Sequence, residues 1–111
     1  MSHSIDTNII ERTQILLGDE FSVAVTEFLE DADGYVSAIV QGFNQGDNDA
    51  VKRASHTLKS NSQIFGLMTI SKHAAEINAK MLSNNKSEIG ADIEALQIAY
   101  QEAKVALVAY I

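Results

Sequence analysis

Residues 54–66 read ASHTLKSNSQIFG. Ala54, Leu58, Ser62 and Phe65 recur four, four and three positions apart, and Val51 carries the series one turn back. Such spacing marks one face of an α-helix. At about 100° per residue these positions cluster within roughly 60° of one another, and His56 lies roughly 160° from their centre. The imidazole therefore points away from the apolar face. Its neighbours on the outward face are Lys52 and Arg53 one turn before it, and Lys59, Ser60 and Gln63 after it. Between Asp49 and Glu76 there is no acidic residue, although the chain as a whole carries a formal charge of −7.

Three further stripes have the same helical spacing. Before the His segment come Phe21, Val25, Phe28, Ala32, Tyr35, Ile39 and Phe43. After it come Leu67, Ile70, Ala74, Ile77 and Met81, then Ile89, Ile93, Leu96, Tyr100, Ala103, Leu107 and Tyr110. Period-2 alternation is scarce, which argues against strands. Gly46 ends the first long helix, and Asp47 or Asn48 can cap the next. Gly66 separates the second and third stripes. Ser83-Asn84-Asn85 reads as a turn, with Asn85 and Glu88 forming a capping box. Gly34 interrupts the first stripe at a cost of about 1 kcal/mol relative to alanine, but the apolar spacing continues through it, so one helix is expected there.

Connections this short force neighbouring helices to run antiparallel. The expected fold is all-α: an up-down-up-down four-helix bundle over about residues 19–110. A shorter extra helix, about residues 7–17, carries Ile9, Leu16 and Leu17 and is expected across one end. The 111 residues read as a single domain, 46% hydrophobic and 21% charged, which is the balance of a globular chain. The absence of proline suits long helices. The absence of cysteine excludes disulfides, thiolate metal sites and thiol catalysis. The polar start MSHSIDTN has no leader-like apolar run, and no segment approaches the ~18 apolar residues of a membrane span, so a soluble cytoplasmic protein is expected. The negative charge, with no broad basic stripe, argues against nucleic acid.

An exposed histidine among cations suits accepting and holding a phosphoryl group, because the cations attract it and stabilise its charge. General acid–base work fits less well, since no carboxylate neighbours His56 on the helix. Taken alone, the same pattern also describes an ordinary solvated helix face, or a helical-bundle adaptor that binds a protein partner without phosphoryl chemistry. His3 lies in the terminal segment. His73 and Glu76 form one metal-competent pair without the matching Glu-x-x-His pairs a bundle metal site needs, so no metal is expected. There is no Gly-rich phosphate loop and no carboxylate cluster beside His56, so neither ATP nor another cofactor is expected.

The stretch ASHTLKSNSQIFG resembles the signature of histidine-containing phosphotransfer (HPt) domains, A-H-x-L-K-G with a glycine six residues further on. His56, Leu58, Lys59 and Gly66 stand at the family positions, with Ala54 displaced by one and Ser55 inserted before the histidine. The run EFLEDADGYVSAI, the turn GDNDAVKRA and the two following helices extend the likeness over about residues 19–110.

The resemblance implies that His56 takes a phosphoryl group from an aspartyl phosphate on one receiver domain and passes it to another, in a multistep two-component phosphorelay. It implies that Lys59 supports the phosphoryl charge, that Leu58 is core, and that Gly66 makes the turn between bundle helices. Asn78, on the following helix, is placed to orient the inner ring nitrogen. The implied partners are receiver domains of hybrid sensor kinases and response regulators, which supply Mg²⁺ and the remaining catalytic groups. The protein is then a carrier rather than an enzyme. Ser60 replaces the family glycine that lets the receiver approach closely. Ile64 lies on the flank of the His face, and Ile9, Ile10 or Leu17 could extend a docking patch there, although bundle ends also bury such residues and core or end-packing is the favoured place for each. A monomer is expected, and the initial Met with a complete bundle favours a free-standing protein.

Overall fold

Asp6 starts the first helix. Its carboxylate accepts from the backbone N–H groups of Asn8 (3.0 Å) and Ile9 (3.2 Å), satisfying two of the donors a helix start leaves unpaired. The computed structural model describes residues 5–83 and 86–111. Among them, α1 spans Thr7–Leu17, α2 Phe21–Gln45, α3 Asn48–Ile64, α4 Met68–Leu82 and α5 Ile89–Val108, with single 3₁₀ turns at Gly18–Glu20 and Lys86–Glu88. The result is an all-helical bundle, with no strand among the described residues. Among the described residues no helix is long and apolar enough to cross a membrane. Asn84 and Asn85, on which the expected turn and capping box rest, lie outside the described residues, as does His3.

The punctuation works as local chemistry requires. Gly46 closes α2 in the left-handed region (φ 74°), and the Asp47 carboxylate then accepts from the Ala50 N–H (3.2 Å) to open α3. Gly66 (φ 73°) makes the turn into α4. α2 passes through Gly34 without a break. A Cβ there would meet nothing within 4 Å. Gly34→Ala is therefore expected to raise the unfolding free energy by about 1 kcal/mol, read from a urea titration, because it adds helix propensity without a clash.

The four stripes supply the core. Ile39, Leu58, Leu67, Ile70, Ile77, Ile89, Leu96 and Leu107 are fully buried, each worth roughly 1.5–3 kcal/mol in transfer terms. α2 departs from the expected stripe in its second half. Val36 is buried while Tyr35 is only half-buried, and Gly42 is buried while Phe43 is exposed. At Gly42 the cause is the approach of α3: a Cβ there would meet Val51 at 3.0 Å and the Asp47 carbonyl at 3.1 Å, so only glycine lets the two helices come this close. Phe43 is turned aside and lies over Gly90.

α2 packs on α3, α3 on α4, α4 on α5, and α5 returns to α2, while the backbones of α3 and α5 do not approach closely. Tyr100 of α5 ties into α2. Its hydroxyl donates to Asp33 (2.5 Å) and to the Leu29 carbonyl (3.1 Å), and Lys104 lies over its ring and 3.5 Å from Asp33. Burial, and then the Asp33 carboxylate, push the Tyr100 phenol well above its usual range. Lys80 of α4 bridges Asp92 (2.6 Å) and Glu88 (3.2 Å) near the start of α5.

α1 rests on the turn between α3 and α4. The Asp6 N–H donates to the Gly66 carbonyl (2.7 Å), and the Thr13 hydroxyl donates to the Ile64 carbonyl (2.6 Å). This seating decides between the two places open to Ile10: it is fully buried, as core packing requires, and adds nothing to a docking patch, because the inner face of α1 is part of the core. Ile9 is half-buried, and Leu16 and Leu17 are exposed.

Candidate functional site

His56 sits mid-way along α3, as its ninth residue, and is exposed. Its own turn is held by what lies behind it. Ser55, the next residue inward, is fully buried, and its hydroxyl donates to the Lys52 carbonyl (3.2 Å). Asn78 of α4 donates to that same carbonyl (3.0 Å) and to the Ser55 hydroxyl (3.3 Å). In helix geometry the Lys52 carbonyl is also the acceptor for the His56 N–H. The backbone that carries the imidazole is thus tied across to α4.

A second tie lies one turn further on. The Ser71 hydroxyl of α4 donates to the Lys59 carbonyl (3.1 Å) and accepts from Gln63 Nε2 (3.1 Å). Ser62, buried in the stripe, satisfies itself on the Leu58 carbonyl (2.6 Å). These polar groups satisfy one another across the α3–α4 seam and make the seam selective for one register. α3 is therefore a stiff rod under an exposed ring.

The candidate residues separate into three groups. Lys52, Arg53 and Asn78 join His56 in lining one shallow groove between α3 and α4, with Leu82 completing it. Lys59, Ser60 and Gln63 lie outside that groove, one turn towards the C-terminal end of α3; Lys59 is half-buried, and Ser60 and Gln63 are exposed. Gly66 is ten residues from His56, about 15 Å along the helix, and is buried. Its place is the turn and the seat of α1. The Asn78 amide is committed to the Lys52 carbonyl and Ser55 and not to the imidazole, so its hold on the ring is through the backbone.

Electrostatically the groove is cationic. None of the ion pairs among the described residues involves His56, and its neighbours Lys52 and Arg53 are likewise without a carboxylate partner. Among the described residues there is no group of three or more His, Asp or Glu placed to hold a metal. His73 is half-buried on α4, with Nδ1 enclosed and without a hydrogen-bond partner. Apolar side chains flank the site: Leu82 is exposed within the groove, and Ile64 and Met68 are exposed towards the α3–α4 turn.

Sequence reasoning missed Ser71 and Leu82. Ser71 had a faint signal, a small polar residue beside an apolar stripe. Leu82 had none, because one exposed leucine at a helix end is ordinary.

An accessible ring on a helix tied to its neighbour, with cations on both sides, has the chemistry to receive a phosphoryl group. The Hpt domain family model matches residues 23–106. Among solved structures, the chain resembles the crystal structure of histidine-containing phosphotransfer protein B (HptB) from Pseudomonas aeruginosa, with a TM-score of 0.93 over 99% of this chain and 96% of that one. The sequence identity is 16%, so that likeness speaks for the fold alone. No curated protein matches the chain.

Proposed function

Since the chain belongs to the Hpt domain family, a family of phosphocarriers, we propose that His56 is its phosphoacceptor and that it relays a phosphoryl group between receiver-domain aspartates in a multistep phosphorelay. One observation carries the assignment: His56 is exposed, among cations and without a carboxylate partner, on a helix tied down on either side of it. The partners are receiver domains of hybrid sensor kinases and response regulators. The protein works as a cytoplasmic monomer.

In the transfer, the unprotonated outward nitrogen of His56 attacks phosphorus of the receiver's aspartyl phosphate. The N–P bond forms as the O–P bond breaks, and the electron pair returns to the aspartate as carboxylate. The inner nitrogen keeps its proton. The second transfer reverses these bonds on another receiver. Mg²⁺ and the remaining catalytic groups belong to the receiver. This chain supplies position and charge, which is most of what phosphoryl transfer asks.

Lys59 stabilises the phosphoryl oxygens after transfer, with Lys52 and Arg53 attracting them on approach. Gln63 and Asn78 keep the His56 turn in place, and Ser60 sets how closely a receiver sits. Leu82 and Ile64 offer apolar contact. Lys59→Ala is expected to slow phosphoryl uptake about tenfold with little change in melting temperature, as befits a half-exposed cation acting on charge. A stopped time course of label transfer measures it.

The bundle, residues 19–110 of one domain, runs up-down-up-down with α1 added at its N-terminal end. Two sets of pairings support antiparallel neighbours: Ser71 with Lys59 and Asn78 with Lys52, and Tyr100 with Leu29 while Gly90 lies beside Phe43.

The test is direct. The protein is mixed with a receiver labelled at its aspartyl phosphate. Label should move to this chain and become acid-labile and alkali-stable, as an N–P bond is and an acyl phosphate is not. Label that fails to move would leave the adaptor as the better account of the same face.

A further inference from the structure

α5 is apolar on two faces. Its inner face fills the core, yet Ile98 is 63% exposed, Val105 76% and Val108 61%. Ile98 and Val105 are seven residues apart and so share one outward face, with Glu94 and Glu102 one turn on either side of Ile98. Neither glutamate has an ion-pair partner among the described residues. Gln97 and Gln101 belong both to this outward face and to the open groove between α5 and α2, where Val36 and Val40 contribute further apolar surface. The result is an aliphatic strip with an acidic, uncharged-polar rim.

Charge on this bundle is segregated. α2 and α5 together carry seven carboxylates and a single cation, Lys104, which already lies against Asp33. α3 and α4 carry five cations and two carboxylates. Because α2 and α4 each pack on both α3 and α5 while the backbones of α3 and α5 do not approach closely, α3 and α5 stand at diagonal corners of the bundle, and their exposed faces look away from each other. The α5 face is therefore remote from His56.

We infer that the outer face of α5 is a second docking surface, for a cationic amphipathic helix of another protein. Apolar residues of that helix would cover Ile98, Val105 and Val108, and its Lys or Arg side chains would meet Glu94 and Glu102. Charge selects this occupant. An anionic lipid surface would be repelled by the acidic rim. A second copy joined face to face would set the same glutamates against each other. A partner held here leaves His56 open, so a receiver and this second protein can be bound together.

The test uses the full chain and a fluorescein-labelled synthetic helix with Leu at i, i+4 and i+7 and Lys on both flanks, followed by fluorescence anisotropy. Binding should weaken about tenfold on Ile98→Ser or Val105→Ser, and about fivefold on Glu94→Gln or Glu102→Gln, as for central interface residues and charge pairs. Amide shifts in a two-dimensional NMR titration should map to α5 and the facing side of α2. All four positions are exposed, and a thermal melt of each variant verifies folding. Ile98→Ser should still take up phosphoryl label at the wild-type rate, which separates this surface from the reading of His56.

Three results would each overturn the inference. One is unchanged peptide binding in the Ser variants. Another is equal binding of a peptide with Glu in place of Lys. The last is a dimer by sedimentation that Ile98→Ser turns to monomer, which would make the face a contact between copies.

Discussion

His56→Gln abolishes phosphoryl uptake: label acquired from a phospho-receiver falls by at least about a thousandfold, to the background of the assay. A glutamine amide has no basic ring nitrogen to form an N–P bond, and His73, the other described histidine, is not among the residues that line the groove with His56. The substitution leaves the fold alone. His56 is exposed and makes none of the hydrogen bonds that tie α3 to α4, and glutamine is a good helix former. Stability should therefore stay within about 0.5 kcal/mol of the wild type by urea titration. Loss of uptake with stability intact identifies the ring as the reacting group. Uptake that survives in the variant would place the chemistry elsewhere.

The largest effect on stability is expected at Gly66. A side chain there is opposed twice. The backbone is in the left-handed region (φ 73°), which costs a non-glycine residue about 1–2 kcal/mol. A Cβ would also lie 2.7 Å from the Asp6 carbonyl and 3.3 Å from the Asp6 nitrogen and the Ile9 side chain. Since those atoms are mostly backbone, α1 itself would have to move. That movement breaks the bond from the Asp6 N–H to the Gly66 carbonyl and strains the one from Thr13 to Ile64. Gly66→Ala is expected to lower the unfolding free energy by about 3 kcal/mol, and the melting temperature by about 10 °C or more. Amide exchange should rise first in α1. Gly34→Ala provides the contrast, since the same chemical change at an open helical position has the opposite sign. If both substitutions behave alike, helix propensity alone governs the glycines and the seating of α1 on Gly66 contributes nothing.

The limits of sequence reasoning are visible at particular residues. The stripe Val51, Ala54, Leu58, Ser62 and Phe65 is buried throughout, and His56 is exposed opposite it. The last stripe is buried from Ile89 to Leu107. The first stripe holds from Phe21 to Ala32 and then slips at Tyr35 and Phe43. At Phe43 the partner helix, and not the periodicity, chooses which side chain goes inside, through the close approach at Gly42. Ile10 was left between core and docking patch for a related reason: a short helix shows its inner face only once its seat is known. Asn78 was singled out to orient the inner ring nitrogen, and its amide donates instead to the Lys52 carbonyl and Ser55, a difference in partner that spacing cannot resolve.

By itself the amino-acid order determined the helices, their punctuation by Gly46, Asp47 and Gly66, the outward aim of His56 and the cations along its helix. Each of these is a property of one segment, legible because apolar side chains repeat with the helix period and because caps and left-handed turns demand particular residues. Tertiary structure alone decided the ties from Asn78 and Ser71 to α3, the seat of α1 on Gly66, and the placing of α3 and α5 at opposite corners, which parts the cationic histidine face from an acidic, aliphatic one. Those depend on how far each helix is rotated about its axis against its neighbours, a quantity set by close packing of many side chains at once and written in no single stretch of the chain.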